Sequence, residues 1–155
     1  MKLLPLLLAF LLPACGSGTD NVAPPPLMDL GKIVRPATPN TALAAPAGFE
    51  PKPDVATPVF QVSAARLYAA IRDVAAHQPR IFPSAAFDGQ FQAHYVARSA
   101  LFGFPDLVTV QAMPAGDDAA TLIIWSRSVY GHSDLGVNRR RVDAWLAALA
   151  ARGVS

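Results

Sequence analysis

The sequence predicts a small two-layer α+β domain: an antiparallel sheet of three to four strands with two helices packed on one face. Three observations carry this. After Ser63, the residues Leu67, Ala70, Ile71, Val74 and Ala75 recur at 3 and 4 spacing, which makes one apolar helical stripe. Phe91 to Ser99 alternates in the manner of a half-buried strand. Thr121-Leu122-Ile123-Ile124-Trp125 is a short apolar run leading into a second striped helix with Val142, Trp145, Leu146 and Leu149. Two helical stripes must bury their apolar sides, and one sheet face can cover both.

The chain starts with Lys2 and the apolar run Leu3–Leu12, closed by Pro13-Ala14-Cys15. A spanning helix needs about 20 apolar residues, so this run fits the core of a signal peptide instead. Leu12-Pro13-Ala14-Cys15 resembles the lipobox of bacterial lipoproteins, and Cys15 is the only cysteine. That resemblance implies a signal peptide over 1–14, a lipidated (palmitate-bearing) Cys15, and attachment to a membrane through that lipid. Gly16 and Ser17 follow, so the acidic residue that resembles an inner-membrane retention signal is absent. The expected place is the bacterial cell envelope, on an outer membrane and facing the periplasm.

One cysteine excludes an internal disulfide. Cleavage before Cys15 would remove Lys2 and leave 12 basic against 11 acidic residues. A balance that even argues against a nucleic-acid partner.

From Gly16 to Pro58 the chain holds nine of its 15 prolines. Proline removes N–H donors from helices and strands alike, so this part is expected to be extended. Residues 15–29 read as a plain Pro-rich tether with little buried area. The single domain is expected over 30–153, with 30–58 an irregular N-terminal arm; Leu30, Ile33, Val34 and Phe49 in it, and Met28 just before it, supply apolar groups for docking.

Pro58–Val62 is a short strand candidate, rich in β-branched and aromatic residues. Ser63 is placed to cap the first helix, and Pro79 to end it. Phe91, Ala93, Tyr95 and Ala97 point one way, with Gln92, His94, Val96 and Arg98 on a polar outer face. Leu101–Asp106 contains Gly103 and Pro105 and reads as a bend. Leu107–Met113 forms the next strand, Pro114–Asp118 a hairpin turn, and Thr121–Trp125 a central strand. Gly153 ends the second helix.

The polar chemistry concentrates where that central strand meets the last helix. Ser126, Arg127, Ser128, Asp134, Asn138, Arg139 and Arg141, with Asp106 from the bend, form the candidate cluster. Arg139 to Arg141 fan over about 200° of a helix, so all three cannot face one ligand. Arg139 and Arg141 flank the buried stripe, and Arg140 is freer. Two uses fit: an ion-pair network that fixes the junction, or an anion site for a carboxylate or lipid headgroup. An envelope hydrolase using Ser126 or Ser128 with His132 and Asp106 or Asp134 is the alternative. Against it, His132 and Asp134 are near neighbours in sequence, and no Gly-x-Ser-x-Gly elbow is present. His77, His94 and His132 lie on three separate elements, so no metal site and no cofactor are expected.

Several strings together resemble the domain of unknown function 1499 family. They are Pro36-Ala37-Thr38-Pro39-Asn40, Arg98-Ser99-Ala100-Leu101-Phe102-Gly103-Phe104-Pro105-Asp106, Ser126-Arg127-Ser128 and Gly131–Arg141. The last is the most specific, through Ser133-Asp134-Leu135-Gly136-Val137-Asn138-Arg139-Arg140-Arg141. The likeness covers roughly residues 30–152 and implies a domain boundary and a set of positions, with no activity attached. Where many members resemble Cys-Pro-x-x-Pro-Asn-Cys, this chain has Arg35 and Thr41; where many have arginine before Gly131, it has Val129. The functional expectation is a lipid-anchored envelope protein with a binding or accessory role, more readily than an enzyme. Its protein partner is unknown.

Overall fold

The sheet has six strands, two to three more than expected. The computed structural model describes residues 18–154, so the expected signal peptide and Cys15 lie outside the described residues. In chain order the elements are β1 (Thr41–Pro46), β2 (Val55–Thr57), α1 (Ala64–Ala76), β3 (Ile81–Phe87), β4 (Gln92–Arg98), β5 (Pro105–Gly116), β6 (Ala119–Ser128) and α2 (Val137–Ala151). The strand order is β2-β1-β6-β5-β4-β3. β1 and β2 run parallel, and the other neighbours are antiparallel. The class is α+β, with a mixed sheet.

The additional strands lie where proline and alanine hide the pattern. β1, Thr41-Ala42-Leu43-Ala44-Ala45-Pro46, falls in the stretch expected as an irregular arm, yet it pairs with β6 and is buried along most of its length. β2 also lies in that stretch. β3 contains Pro83 and a register shift between Pro83 and Ala85. It sits at the sheet edge, where a missing N–H and a bulge are tolerated. Pro58–Val62 is not a strand. Only Phe60 pairs, in an isolated bridge with Ala120.

Both helices pack on one face. The Ser63 hydroxyl accepts from the Arg66 N–H at 3.3 Å and starts α1. Leu67, Ile71, Val74 and Ala75 are fully buried. They meet Val108, Val110, Leu122 and Ile124 from the sheet and Val142, Trp145 and Leu149 from α2. Tyr95 and Trp145 sit edge to face, 5.8 Å between ring centres. At the end of α2, Gly153 adopts φ 70° and the Val154 N–H reaches back to the Leu149 carbonyl at 3.3 Å. Glycine accepts that left-handed conformation without strain.

The second sheet face departs from expectation. β4 is buried on both sides, because Gln92, His94 and Val96 are at most 1% exposed. The cover is the N-terminal segment. Leu30 and Ile33 join Leu43, Ala45, Ile123 and Trp125 in a second core, with Met28, Phe49 and Met113 at its margin. Burying a side chain such as Leu30 stabilises by about 1.5–3 kcal/mol relative to leaving it in water. Residues 18–29 are therefore not a plain tether. The Gln92 amide donates to the Met28 carbonyl and accepts from the Met28 N–H, both at 2.8 Å. At the other end of β4, Arg98 donates to the Gly18 carbonyl at 2.8 Å and to the Asp20 carbonyl. The arm thus runs antiparallel over β4 as a third, irregular layer.

Candidate functional site

Antiparallel register brings Asp106 of β5 opposite Ser128 of β6, and Val108 opposite Ser126. Asp106, Ser126 and Ser128 therefore point to the helix side, toward the first turns of α2. There the Arg141 guanidinium donates to the Asp106 carboxylate at 2.7 Å. The two side chains are only 11% and 9% exposed. The same guanidinium donates to Ser126 Oγ at 2.8 Å and to Asn138 Oδ1 at 2.7 Å. Ser126 in turn donates to Asn138 Oδ1 at 2.6 Å.

Asn138 is the hub. Its amide nitrogen lies 2.7 Å from Asp134 Oδ2, 3.0 Å from Ser128 Oγ and 3.0 Å from the Asn40 carbonyl. The Asn40 amide continues the chain to the Gly131 carbonyl at 2.7 Å, and Thr38 donates to Asn40 Oδ1 at 2.8 Å. Asp134 also accepts the backbone N–H groups of Gly136 and Asn138 at 2.9 and 2.7 Å. It caps α2 in place of a side chain on Gly136, which holds φ 77°. Burial alone would raise the Asp134 carboxyl pKa. The Asn138 and Gly136 N–H bonds and the Asn138 amide outweigh burial and hold it below the usual range.

Asp106, Ser126, Ser128, Asp134, Asn138 and Arg141 thus meet in one network. Arg139 and Arg127 do not. Arg139 is solvent-exposed, pairs with Asp143 at 3.0 Å and donates to the Asp54 carbonyl. Arg139 and Arg141 are two residues apart, so the helix turns them to opposite sides. Arg127 lies between Ser126 and Ser128, so strand alternation sends it to the arm-covered face. Its guanidinium stands 4.0 Å over the Trp125 ring. Burial lowers its pKa.

Among the described residues, no hydrogen bond joins Ser126 or Ser128 to His132, as the alternative hydrolase reading would need. The Ser126 hydroxyl contacts Asn138 and Arg141, Ser128 contacts Asn138, and His132 is exposed on the following loop. Among the described residues, no group of three or more His, Cys, Asp or Glu side chains could hold a metal.

Sequence reasoning missed three contributors. Thr38 and Asn40 enter from the Pro36–Asn40 string, where the proline content predicts only an irregular arm. Arg98 was placed on an outer strand face. It ties the Gly18 and Asp20 carbonyls to the Gly103 carbonyl, the last at 3.0 Å. A cavity of about 260 Å³ opens beside the network, lined by Arg80, Arg98, Ser99, Val137, Arg141 and Trp145.

Arg35 and Thr41, the positions where the family pattern carries cysteines, touch through a hydrogen bond of 3.3 Å. Arg35 also pairs with Asp54 at 2.7 Å. Among curated proteins none matches the chain. The family described as Protein of unknown function (DUF1499) matches residues 34–149, a span that contains every member of the polar network, and the chain belongs to it.

Proposed function

We propose that this is a lipid-anchored cell-envelope protein whose folded domain serves as a binding or accessory module, with the Asp106–Arg141 network as its structural lock. One observation carries the structural role of the network. The Arg141 fork that a ligand carboxylate would occupy is filled by Asp106, Ser126 and Asn138. A guanidinium committed in this way fixes a strand–helix junction by charge-assisted bonds that lysine could not reproduce. The lipobox-like Leu12-Pro13-Ala14-Cys15 supports the anchor, with Gly16 and Ser17 favouring an outer membrane facing the periplasm.

Mass spectrometry of the mature N-terminus tests the anchor: acyl chains on Cys15 are expected, and Cys15→Ser should leave the protein soluble or uncleaved. A fluorophosphonate probe tests the other half. No serine should be labelled, and labelling of Ser126 or Ser128 would return the protein to the hydrolases.

A further inference from the structure

Large apolar side chains crowd one end of the sheet. Leu101 (81% exposed), Phe102 (70%) and Phe104 (59%) stand on the β4–β5 loop, and Tyr130 (61%) and Leu135 (84%) on the β6–α2 loop. The two loops are neighbours, since the Val129 N–H donates to the Pro105 carbonyl at 3.1 Å. The β4–β5 loop is braced. Ser99 receives the Phe104 N–H on its hydroxyl at 2.9 Å, and Arg98 holds the Gly103 carbonyl at 3.0 Å. Phe102 and Phe104 are stacked, 5.6 Å between ring centres. Contiguous exposed apolar groups on an ordered loop mark an interaction surface.

Two further observations say what covers it. The first is where the chain comes in. Arg98, at the base of the same loop, grips the Gly18 and Asp20 carbonyls, so the segment preceding Gly18 departs from this end. Cys15 is three residues earlier, within about 11 Å of Gly18 even if fully extended. The second is charge. Arg80 and Arg140 lie exposed at this end, Arg98 beside them is held by backbone carbonyls, and the acids are the exposed Asp20 and the half-buried Asp134, which is committed to capping α2. The turns at the opposite end carry Asp88, Asp117 and Asp118. From the length of β5, those turns stand roughly 35 Å away.

We propose that this end is a membrane-docking surface: Leu101, Phe102, Phe104, Tyr130 and Leu135 enter the interface of an anionic phospholipid bilayer, and Arg80 and Arg140 face its headgroups. The proposal rests on the reading of Cys15 as lipid anchor for its orientation. The domain then lies on the membrane beside its anchor and is not held away from it. Aromatic and aliphatic groups flanked by arginine suit that boundary, where apolar burial and attraction to anionic headgroups add.

The test uses the full processed chain in vesicles of phosphatidylethanolamine and phosphatidylglycerol, some carrying brominated acyl chains. Phe102→Trp and, at the far hairpin, Asp118→Trp are the reporters, read against the wild-type background of Trp125 and Trp145. Quenching by brominated lipid is expected at position 102 and not at 118. Adding Leu101→Asp and Phe104→Asp to Phe102→Trp should abolish it without shifting the melting temperature. Mass spectrometry of the same preparation reports on Cys15. If Cys15 is acylated and position 102 is not quenched, the docking surface is wrong and the anchor survives. If Cys15 is bare and position 102 is quenched, the anchor is wrong and the surface survives. A Trp at position 102 that is shielded without lipid quenching, in a chain that elutes as a dimer, assigns the patch to a second copy and overturns the proposal.

Discussion

The two faces of the sheet each bury an arginine, and they do so by different physics. On the helix face Arg141 is matched by Asp106, Ser126 and Asn138, every contact at 2.8 Å or less. On the arm face Arg127 forms no ion pair among the described residues. It lies over Trp125, and its Nη1 is buried without a hydrogen-bond partner. Three short charge-assisted bonds from one guanidinium demand one geometry, whereas a cation over an aromatic ring does not fix hydrogen-bond directions. The helix face is therefore the rigid, specified side. The arm face is closed by a segment held through apolar contacts and a few backbone bonds.

The largest effect that would break this contrast is on the helix face. Asp106→Ala or Arg141→Ala leaves the partner charge buried and unmatched, at a cost of about 3–5 kcal/mol in denaturant unfolding. Next comes the arm. Gln92→Ala removes the paired bonds to Met28 and strands two backbone groups, so a loss of about 1–3 kcal/mol is expected in the same assay. An unchanged midpoint would show that the arm does not close over β4 in solution.

Acid should loosen both faces in sequence. Burial and the neighbouring Arg127 charge hold the His94 pKa below its ordinary value, against the Pro26 backbone, which favours the protonated ring. The unfolded histidine takes up its proton near pH 6.5, so stability falls as the pH drops below about 6.5 toward the folded value. Asp134 is also depressed, and its contribution is present above the unfolded pKa of about 3.9 and lost as pH falls through the folded value. His94→Gln should remove the first step and leave the second, which a pH series of melting curves would resolve. The smallest effect is at Arg139, whose exposed pair with Asp143 is worth at most about 1 kcal/mol. Arg139→Ala should shift stability by no more than that.

The unequal legibility of the two faces has the same origin. α1 and α2 declare themselves because one-sided burial imposes a period of 3.6 on the sequence, and the β5–β6 hairpin because two apolar runs flank a Gly/Asp turn. Arg141 is within reach for the same reason, since it flanks a visible apolar stripe, and Asp106 because it closes the bend marked by Gly103 and Pro105. β1 is buried on both faces and rich in alanine, so it shows no alternation, and Pro83 disguises β3 at the edge. Ser126-Arg127-Ser128 reads as one cluster in sequence, yet strand alternation sends its middle residue, Arg127, to the other face. Gly18–Met28 carries little periodic signal because its anchors are main-chain carbonyls and one amide gripped by Arg98 and Gln92. Only tertiary structure reveals those partners.

The claim that the Asp106–Arg141 network is a structural lock is tested most directly by a double-mutant cycle. Unfolding free energies of Asp106→Ala, Arg141→Ala and the double variant would be compared with the wild type. If the pair is a lock, the double variant loses about as much as either single one, because no charge is left stranded, and the interaction energy approaches about 3 kcal/mol. Losses that simply add, or a single variant as stable as the wild type, would contradict it.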